Sequence, residues 1–306
     1  EAYRVVTAPG APFEMQPIDV AGRPVRVYKK AHRDLRAIFD GSLAWKDRTF
    51  VVYENERLSF HDHYRAASTL AWRLAEDYGV QKGDRVAIAM RNYPEWPIAF
   101  WAATVIGAVA VPLNAWGTGA DLAYGLGDSG ARVAIVDGER LERLGSLPSD
   151  AYTSALIAVR APRDKLGAAM ALQDLIGRPA DYKALPDRAP PDRDIEPDDD
   201  ATILYTSGTA GRPKGALGTH RNIACNLVNI TFAGARAAIG PANQAVFYDK
   251  EWITVDNNPT SPFYGRAYLT TSRFLNDLHG AYAESPIWFS SSDDGGLSWS
   301  PPKEIS

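Results

Sequence analysis

The sequence predicts an α/β fold, a mainly parallel sheet with helices on both faces, followed by a short all-β segment. Three observations carry this. From about residue 45 to 235, short β-like runs alternate with helical patterns, as in chains of βαβ units. The β-like runs hold few polar residues, which suits strands covered on both faces. Near residue 241 the helical periodicity stops and aromatic-rich short runs take over.

The first helix is set by Ser59 and Asp62, spaced as a capping box. Tyr64, Ala67, Ala71, Leu74 and Tyr78 then recur on one helical face until Gly79 stops it. "RVAIAM" (85–90) follows as a buried strand, and "NYPEWPIAFWAATVIG" (92–107) as a helix opened by Pro94 and ended by Gly107. Strand "AVAVPL" (108–113), helix 119–127, strand "RVAIVD" (132–137) and the apolar run "ALIAVR" (155–160) continue the alternation. "LPDRAPPDRDIEPDDD" (185–200) holds four prolines and no hydrophobic period, and reads as a surface connection. After it come a strand at 201–205, a glycine-rich loop, and a helix from about Thr219 to Ala238.

Composition narrows the function classes. The chain has 306 residues, 45% of them hydrophobic, enough for a proper core. With 33 basic against 37 acidic residues, a net charge of -4, it lacks the basic surplus that binds nucleic acid or an anionic membrane. No apolar run is long enough to span a bilayer, and residues 1–30 show no signal-peptide core. Glu1 stands where an initiator Met would, which is consistent with a truncated start and a lost leader. The single Cys225 excludes an internal disulfide and suits a reducing compartment.

A domain boundary is expected at roughly 238–247, dividing the chain into 1–240 and 241–306. The first part contains 41 Ala and 29 basic against 29 acidic residues; the second contains 5 Ala, 9 Ser and 4 basic against 8 acidic. Its runs "EWITVD" (251–256), "RAYLTTSRF" (266–274) and "PIWFSSS" (286–292) are separated by turn residues. No internal repeat of 20 to 50 residues is present.

The loop "TSGTAGRPKG" (206–215) carries the chemistry. Glycines 208, 211 and 215 let the backbone turn its N–H groups inward, Thr206, Ser207 and Thr209 add hydroxyl donors, and Lys214 adds charge. The pattern differs from Walker A, since Pro213 precedes Lys214 and no Gly-Lys-Ser/Thr occurs. The plain alternative is a flexible surface turn rich in small residues.

"YTSGTAGRPKGA" resembles the phosphate-binding signature of the adenylate-forming enzymes, the superfamily of acyl-CoA synthetases, firefly luciferase and nonribosomal adenylation domains. Residues 58–114 and "GTHRNIACNL" (218–227) resemble the acyl-CoA synthetase branch. Ala210 departs from the family, which usually has a polar residue there. The resemblance covers about residues 1–240 and implies a partial adenylate-forming domain. It implies ATP with Mg2+, coenzyme A as co-substrate, and a small-molecule carboxylic acid, with a fatty acid as the default. By the same carry-over Thr206, Ser207, Gly208, Thr209, Gly211 and Lys214 contact ATP, while Tyr205 is a wall of the site or core. The family's later elements, among them the magnesium-binding Glu and the lid with its catalytic Lys, are not found after residue 240. The chain alone is therefore expected to be inactive as a ligase, and no catalytic residue is assigned. The ligase-like part implies a cytoplasmic location.

In the tail, Ser292-x-Asp294-x-Gly296-x-x-Trp299 resembles the structural Asp-box of sialidases and related BNR propellers, and 249–274 resembles the strands before such a box. That implies one propeller-blade-like unit, a usually secreted source, and self-association through an unpaired β segment. A plain Gly-Asp turn with a core Trp is the alternative. Sialidase activity is not expected, since the arginine cluster and Tyr/Glu pair cannot be located in 66 residues.

Other candidates have plainer readings. His61 and His63 face different ways on a helix and are expected to be solvated rather than metal ligands. His220 either approaches the substrate pocket or caps and packs near a helix start. "PDDD" (197–200) is expected as a solvated turn, and Cys225 as a packed thiol. Three functions compete: the N-terminal part of an AMP-forming acyl-CoA ligase accidentally joined to a propeller fragment, a non-catalytic nucleotide-binding protein, and a propeller protein carrying a passenger.

Overall fold

The computed structural model describes residues 2–305 except 21, 149, 207–211, 240–245, 256–261, 263–265, 277–281, 285–286 and 294–299. The chain forms two compact units, residues 32–224 and residues 1–31 together with 225–306. The latter starts with helix α1 (Ala2–Val6) and an antiparallel hairpin of β1 (Met15–Val20) and β2 (Arg23–Tyr28).

The unit 32–224 opens with α2 (Leu35–Gly41), where Asp34 accepts from the Ala37 amide at 2.8 Å. A hairpin of β3 (Thr49–Tyr53) and β4 (Glu56–Ser59) leads into α3 (Phe60–Glu76). The expected capping box forms: Ser59 Oγ accepts from the Asp62 amide at 3.0 Å, and Asp62 accepts from the Ser59 amide at 3.3 Å. Tyr64, Ala67, Ala71 and Leu74 are buried, Tyr78 lies just past the helix, and Gly79 ends it at a φ of +60°.

The chain then alternates: β5 (Arg85–Ala89), α4 (Glu95–Thr104), β6 (Val109–Pro112), α5 (Gly119–Ser129), β7 (Ala131–Asp137), α6 (Gly138–Gly145) and β8 (Ala155–Val159). Helix α4 is shorter than the expected 92–107. It begins at the Pro94 cap, and residues 105–107 turn into β6 through Gly107 at a φ of +73°. Short β9 (Met170–Ala171) and α7 (Leu172–Ile176) precede β10 (Asp200–Thr206), β11 (Lys214–Thr219) and α8 (His220–Ile239).

Seven strands form one sheet in the order β11-β10-β6-β5-β7-β8-β9, parallel throughout except for the antiparallel edge strand β11. The pleat sends alternate residues of β5 to opposite faces. Val86 and Ile88 join a core with α3 and α4, while Ala87 and Ala89 join a second core with α5 and α6. This is the expected helix-covered sheet.

The 185–200 segment is irregular, as expected, but it is not merely superficial. Pro190 and Pro191 are buried, and their carbonyls accept from Arg36 at 3.1 and 2.8 Å. Without that guanidinium the two carbonyls would lack a protein partner.

In the other unit, Phe232 of α8 packs against Tyr3, Phe13 and Tyr28, with centroids 6.0, 5.4 and 6.2 Å apart. Strands β12 (Val246–Val255), β13 (Ala267–Asn276), β14 (Tyr282–Glu284), β15 (Ile287–Ser292) and β16 (Lys303–Glu304) form an antiparallel sheet ordered β12-β13-β15-β16, with β14 beside β13. The all-β reading of this stretch agrees with these strands. No helix among the described residues is long and apolar enough to cross a membrane.

Candidate polyphosphate-binding site

Strand β10 runs parallel to β6, so Tyr205 and Thr206 arrive at the carboxyl edge of the sheet, where open α/β sheets place ligands. Ser207, Gly208, Thr209, Ala210 and Gly211 lie outside the described residues. The chain returns through Arg212 and Pro213 to Lys214, which pairs with Thr206 across the β10–β11 hairpin. The Thr206 hydroxyl donates to the Lys214 carbonyl at 3.4 Å. Lys214 is exposed and has no carboxylate partner among the described residues. An ammonium left uncompensated beside a loop of donors suits an anion of several charges.

Two sequence expectations need correction here. A helix was expected directly behind the loop, whereas strand β11 intervenes and α8 starts only at His220. The loop is thus a hairpin connection, and no helix N-terminus opens onto its return side. Gly215 was expected to help bend the loop. It instead sits opposite Tyr205 in the hairpin, where a Cβ would stand 2.6 Å from Ile203 Cγ2 and 3.6 Å from the Tyr205 ring. Its smallness serves close packing. Tyr205 is half-buried, and its hydroxyl donates to Asp128 at 2.6 Å. Burial, then the Asp128 carboxylate, raise its pKa well above the ordinary phenol value.

Farther along the same edge, sequence reasoning missed Asp137 and Arg140. Asp137 ends β7 and caps α6, accepting from the Arg140 amide at 3.0 Å and the Arg91 amide at 2.9 Å. The Arg140 guanidinium contacts both Asp137 oxygens, at 3.3 and 3.1 Å, and donates to the Ala115 carbonyl at 2.6 Å. The signal was present in "VDGER", an N-cap residue directly after an apolar run. Arg160, next after β8, holds a φ of +52° and binds Glu95 at 3.0 Å and Glu56 at 2.5 Å beside a cavity of about 310 Å³. Burial raises the Glu95 pKa, opposed by Arg160. These opposite charges satisfy one another, which fits a structural knot.

The histidine readings divide. His61 pairs with Asp187 at 3.0 Å. His63 was expected to be solvated, but it is buried between Phe39 and Phe50 at the wall of a cavity of about 350 Å³. Burial lowers its pKa to about 4. His220 is fully buried at the start of α8, where Nδ1 accepts from the Leu35 amide at 3.2 Å, and burial lowers its pKa. Packing, not approach to a substrate pocket, is its role here.

The "PDDD" turn is ion-paired rather than simply solvated: Asp198 binds Arg221 at 2.7 and 2.9 Å, and Asp199 meets Lys82 at 2.7 Å. Cys225 is half-buried within α8. Among the described residues no three His, Cys, Asp or Glu converge as a metal site. Of the Asp-box, Ser292 is buried at the end of β15, while Asp294, Gly296 and Trp299 lie outside the described residues.

A model of the AMP-binding enzyme family matches residues 40–251. The chain belongs to that family. Feruloyl-CoA synthase of Amycolatopsis sp is 36% identical over 182 residues, 60% of this chain and 32% of its own length. The mitochondrial malonate–CoA ligase of Mus musculus is 31% identical over 215 residues, 67% of this chain and 33% of its own. The chain thus spans about a third of these relatives. A long-chain-fatty-acid CoA ligase structure from Rhodopseudomonas palustris aligns with a TM-score of 0.54 at 25% identity, covering 67% of this chain and 48% of its own. An anthranilate CoA ligase structure in complex with anthranoyl-AMP aligns at 0.54 and 21% identity over 62% and 35% of the two chains, a likeness of fold. The seven-stranded, mainly parallel sheet is accordingly the α/β fold of AMP-binding enzymes, and the family match runs past the boundary expected at 240.

Proposed function

We propose that this chain is the N-terminal part of an ATP-dependent, AMP-forming acid–CoA ligase, and that the loop at 206–214 holds the phosphates of ATP. One observation carries the reading: in a family-matched stretch, the β10–β11 hairpin brings an exposed, uncompensated Lys214 opposite Thr206 at the carboxyl edge of the sheet. Thr206, Ser207, Gly208, Thr209, Gly211 and Lys214 are the proposed contacts, with Mg2+ accompanying the nucleotide.

In this reaction class a carboxylate attacks the α-phosphate of ATP, pyrophosphate leaves, and a thiol such as coenzyme A then displaces AMP. The loop's part is electrostatic: it holds the outgoing phosphates in place while negative charge shifts onto them, which takes positioned donors rather than a nucleophile. The relatives named for feruloyl, malonate and long-chain fatty acids span aromatic and aliphatic acids. The substrate is therefore proposed as a small carboxylic acid, with a fatty acid tested first. A ligase that consumes ATP and coenzyme A works where both are supplied, so a cytoplasmic site is proposed.

Residues 1–306 alone are proposed to bind nucleotide without forming an acyl-adenylate. Binding of ATP by calorimetry, together with acid-dependent ATP–pyrophosphate exchange, tests both halves: binding without exchange is the expected pair. For residues 241–306 the Asp-box reading stays a proposal. It is supported by the sequence of 292–299 and by the antiparallel neighbours of β15, and excision of 241–306 is expected to leave ATP binding intact.

A further inference from the structure

Both shoulders of the loop are fastened to one helix. Before the loop, the Tyr205 hydroxyl donates to Asp128 Oδ2 at 2.6 Å. After it, the Pro213 carbonyl, adjoining Lys214, accepts from the Tyr124 hydroxyl at 3.0 Å. Tyr124 and Asp128 lie four residues apart on α5, one turn of the same face. Tyr124 Oη also lies 3.4 Å from Asp128 Oδ1. A phenol has a single hydrogen to give, and the shorter contact assigns it to Pro213. The Tyr124 and Tyr205 rings meet edge-on at 6.4 Å and 70°, and the Arg212 guanidinium lies over the Tyr124 ring, 5.4 Å from its centroid.

Helix α5 is a firm anchor for such a clasp. Leu122 and Leu126 are buried in the core on its side of the sheet. At Gly125 the helix approaches Leu113 so closely that a Cβ would stand 2.6 Å from Leu113 Cδ2. The Thr118–Asp121 capping box fixes the start of the helix, and Gly130 ends it at a φ of +60°.

We propose that Tyr124 and Asp128 are positioning residues for the anion site, setting the separation across which Thr206 and Lys214 meet the phosphates of a nucleotide. The proposal rests on the reading of the loop as an ATP phosphate cradle. Fastening both shoulders beforehand reduces the ordering that binding must otherwise impose. Positioned charge also loses much of its effect when displaced by as little as about 1 Å.

The test uses the whole chain, with Tyr124→Phe, Tyr205→Phe, Asp128→Ala and Asp128→Asn. Two quantities are measured: calorimetric affinity for inorganic pyrophosphate and for ATP with Mg2+, and amide hydrogen exchange in β10 and β11. Tyr124→Phe and Tyr205→Phe are each expected to weaken binding about fivefold, the worth of one hydrogen bond, and to speed hairpin exchange. Asp128→Asn keeps a carbonyl acceptor for Tyr205 and is expected to bind within about twofold of wild type, whereas Asp128→Ala follows the tyrosine variants. In a Lys214→Ala background the effect of Tyr124→Phe should shrink below about twofold, because the clasp acts through that lysine. A purely structural role would give additive losses in that cycle, and additivity overturns the proposal. So does wild-type affinity in both tyrosine variants while the wild type binds normally. If the wild type binds neither ligand, the nucleotide reading itself fails, and the positioning role falls with it.

Discussion

The carboxyl ends of β7 and β10 share one edge of one sheet and treat charge in opposite ways. After β7, Asp137 and Arg140 neutralise each other with side chains only 3% and 1% exposed. After β10, Lys214 stands exposed without a carboxylate partner among the described residues. A buried charge must be paired, because the cost of desolvating it alone is several kcal/mol. An exposed lysine bears no such cost and is free to meet a ligand. The contrast separates what the edge needs to fold from what it offers to bind.

The largest effect is expected on the buried side of this comparison. Asp137→Ala leaves the Arg140 guanidinium buried without its carboxylate, and the Arg91 and Arg140 amides without their acceptor. A loss of about 3 to 5 kcal/mol follows, measurable by urea unfolding monitored at the eight tryptophans. A loss below about 1 kcal/mol would erase the distinction between the two ends.

Acid sharpens the same distinction between buried and exposed groups. His63 is neutral in the folded protein, with a pKa near 4 against an ordinary 6.5. Its contribution is whole above pH 6.5 and is lost as pH falls toward 4, since the unfolded chain takes up the proton first. About 3 kcal/mol should disappear across that window, and a His63→Phe variant should flatten this part of the profile.

Gly215 tests the close packing beneath the exposed lysine. Gly215→Ala sets a methyl against Ile203 Cγ2 and is expected to cost about 1 to 3 kcal/mol, read as a lower unfolding midpoint. At the small end, Arg163 and Asp174 pair on the surface with side chains 64% and 36% exposed. Arg163→Ala should change stability by less than about 1 kcal/mol.

Much of this was legible in the sequence because it is local. The Ser59–Asp62 box, the one-sided face of α3 and the apolar strands β5, β6 and β7 are written within a few residues of themselves. Strand β11 was not legible: "KGALGT" contains two glycines and no alternation, and it is an exposed edge strand held by its pairing with β10. His63 failed for a different reason. The rings that bury it, Phe39 and Phe50, lie far along the chain, so no helical spacing shows them. In the site, the loop composition pointed to polyphosphate. Tyr124 and Asp128 stayed invisible because α5 reaches the loop only through the sheet's topology.

The central claim is that Lys214 is kept exposed for an anion and has little part in the fold. Calorimetric titration of ATP with Mg2+ into wild type and Lys214→Ala, each with its unfolding midpoint, tests it directly. The account expects measurable binding by wild type, at least about tenfold weaker binding by the variant, and an unchanged midpoint. Equal affinity in the two proteins, or a variant that loses stability as well as binding, would contradict it.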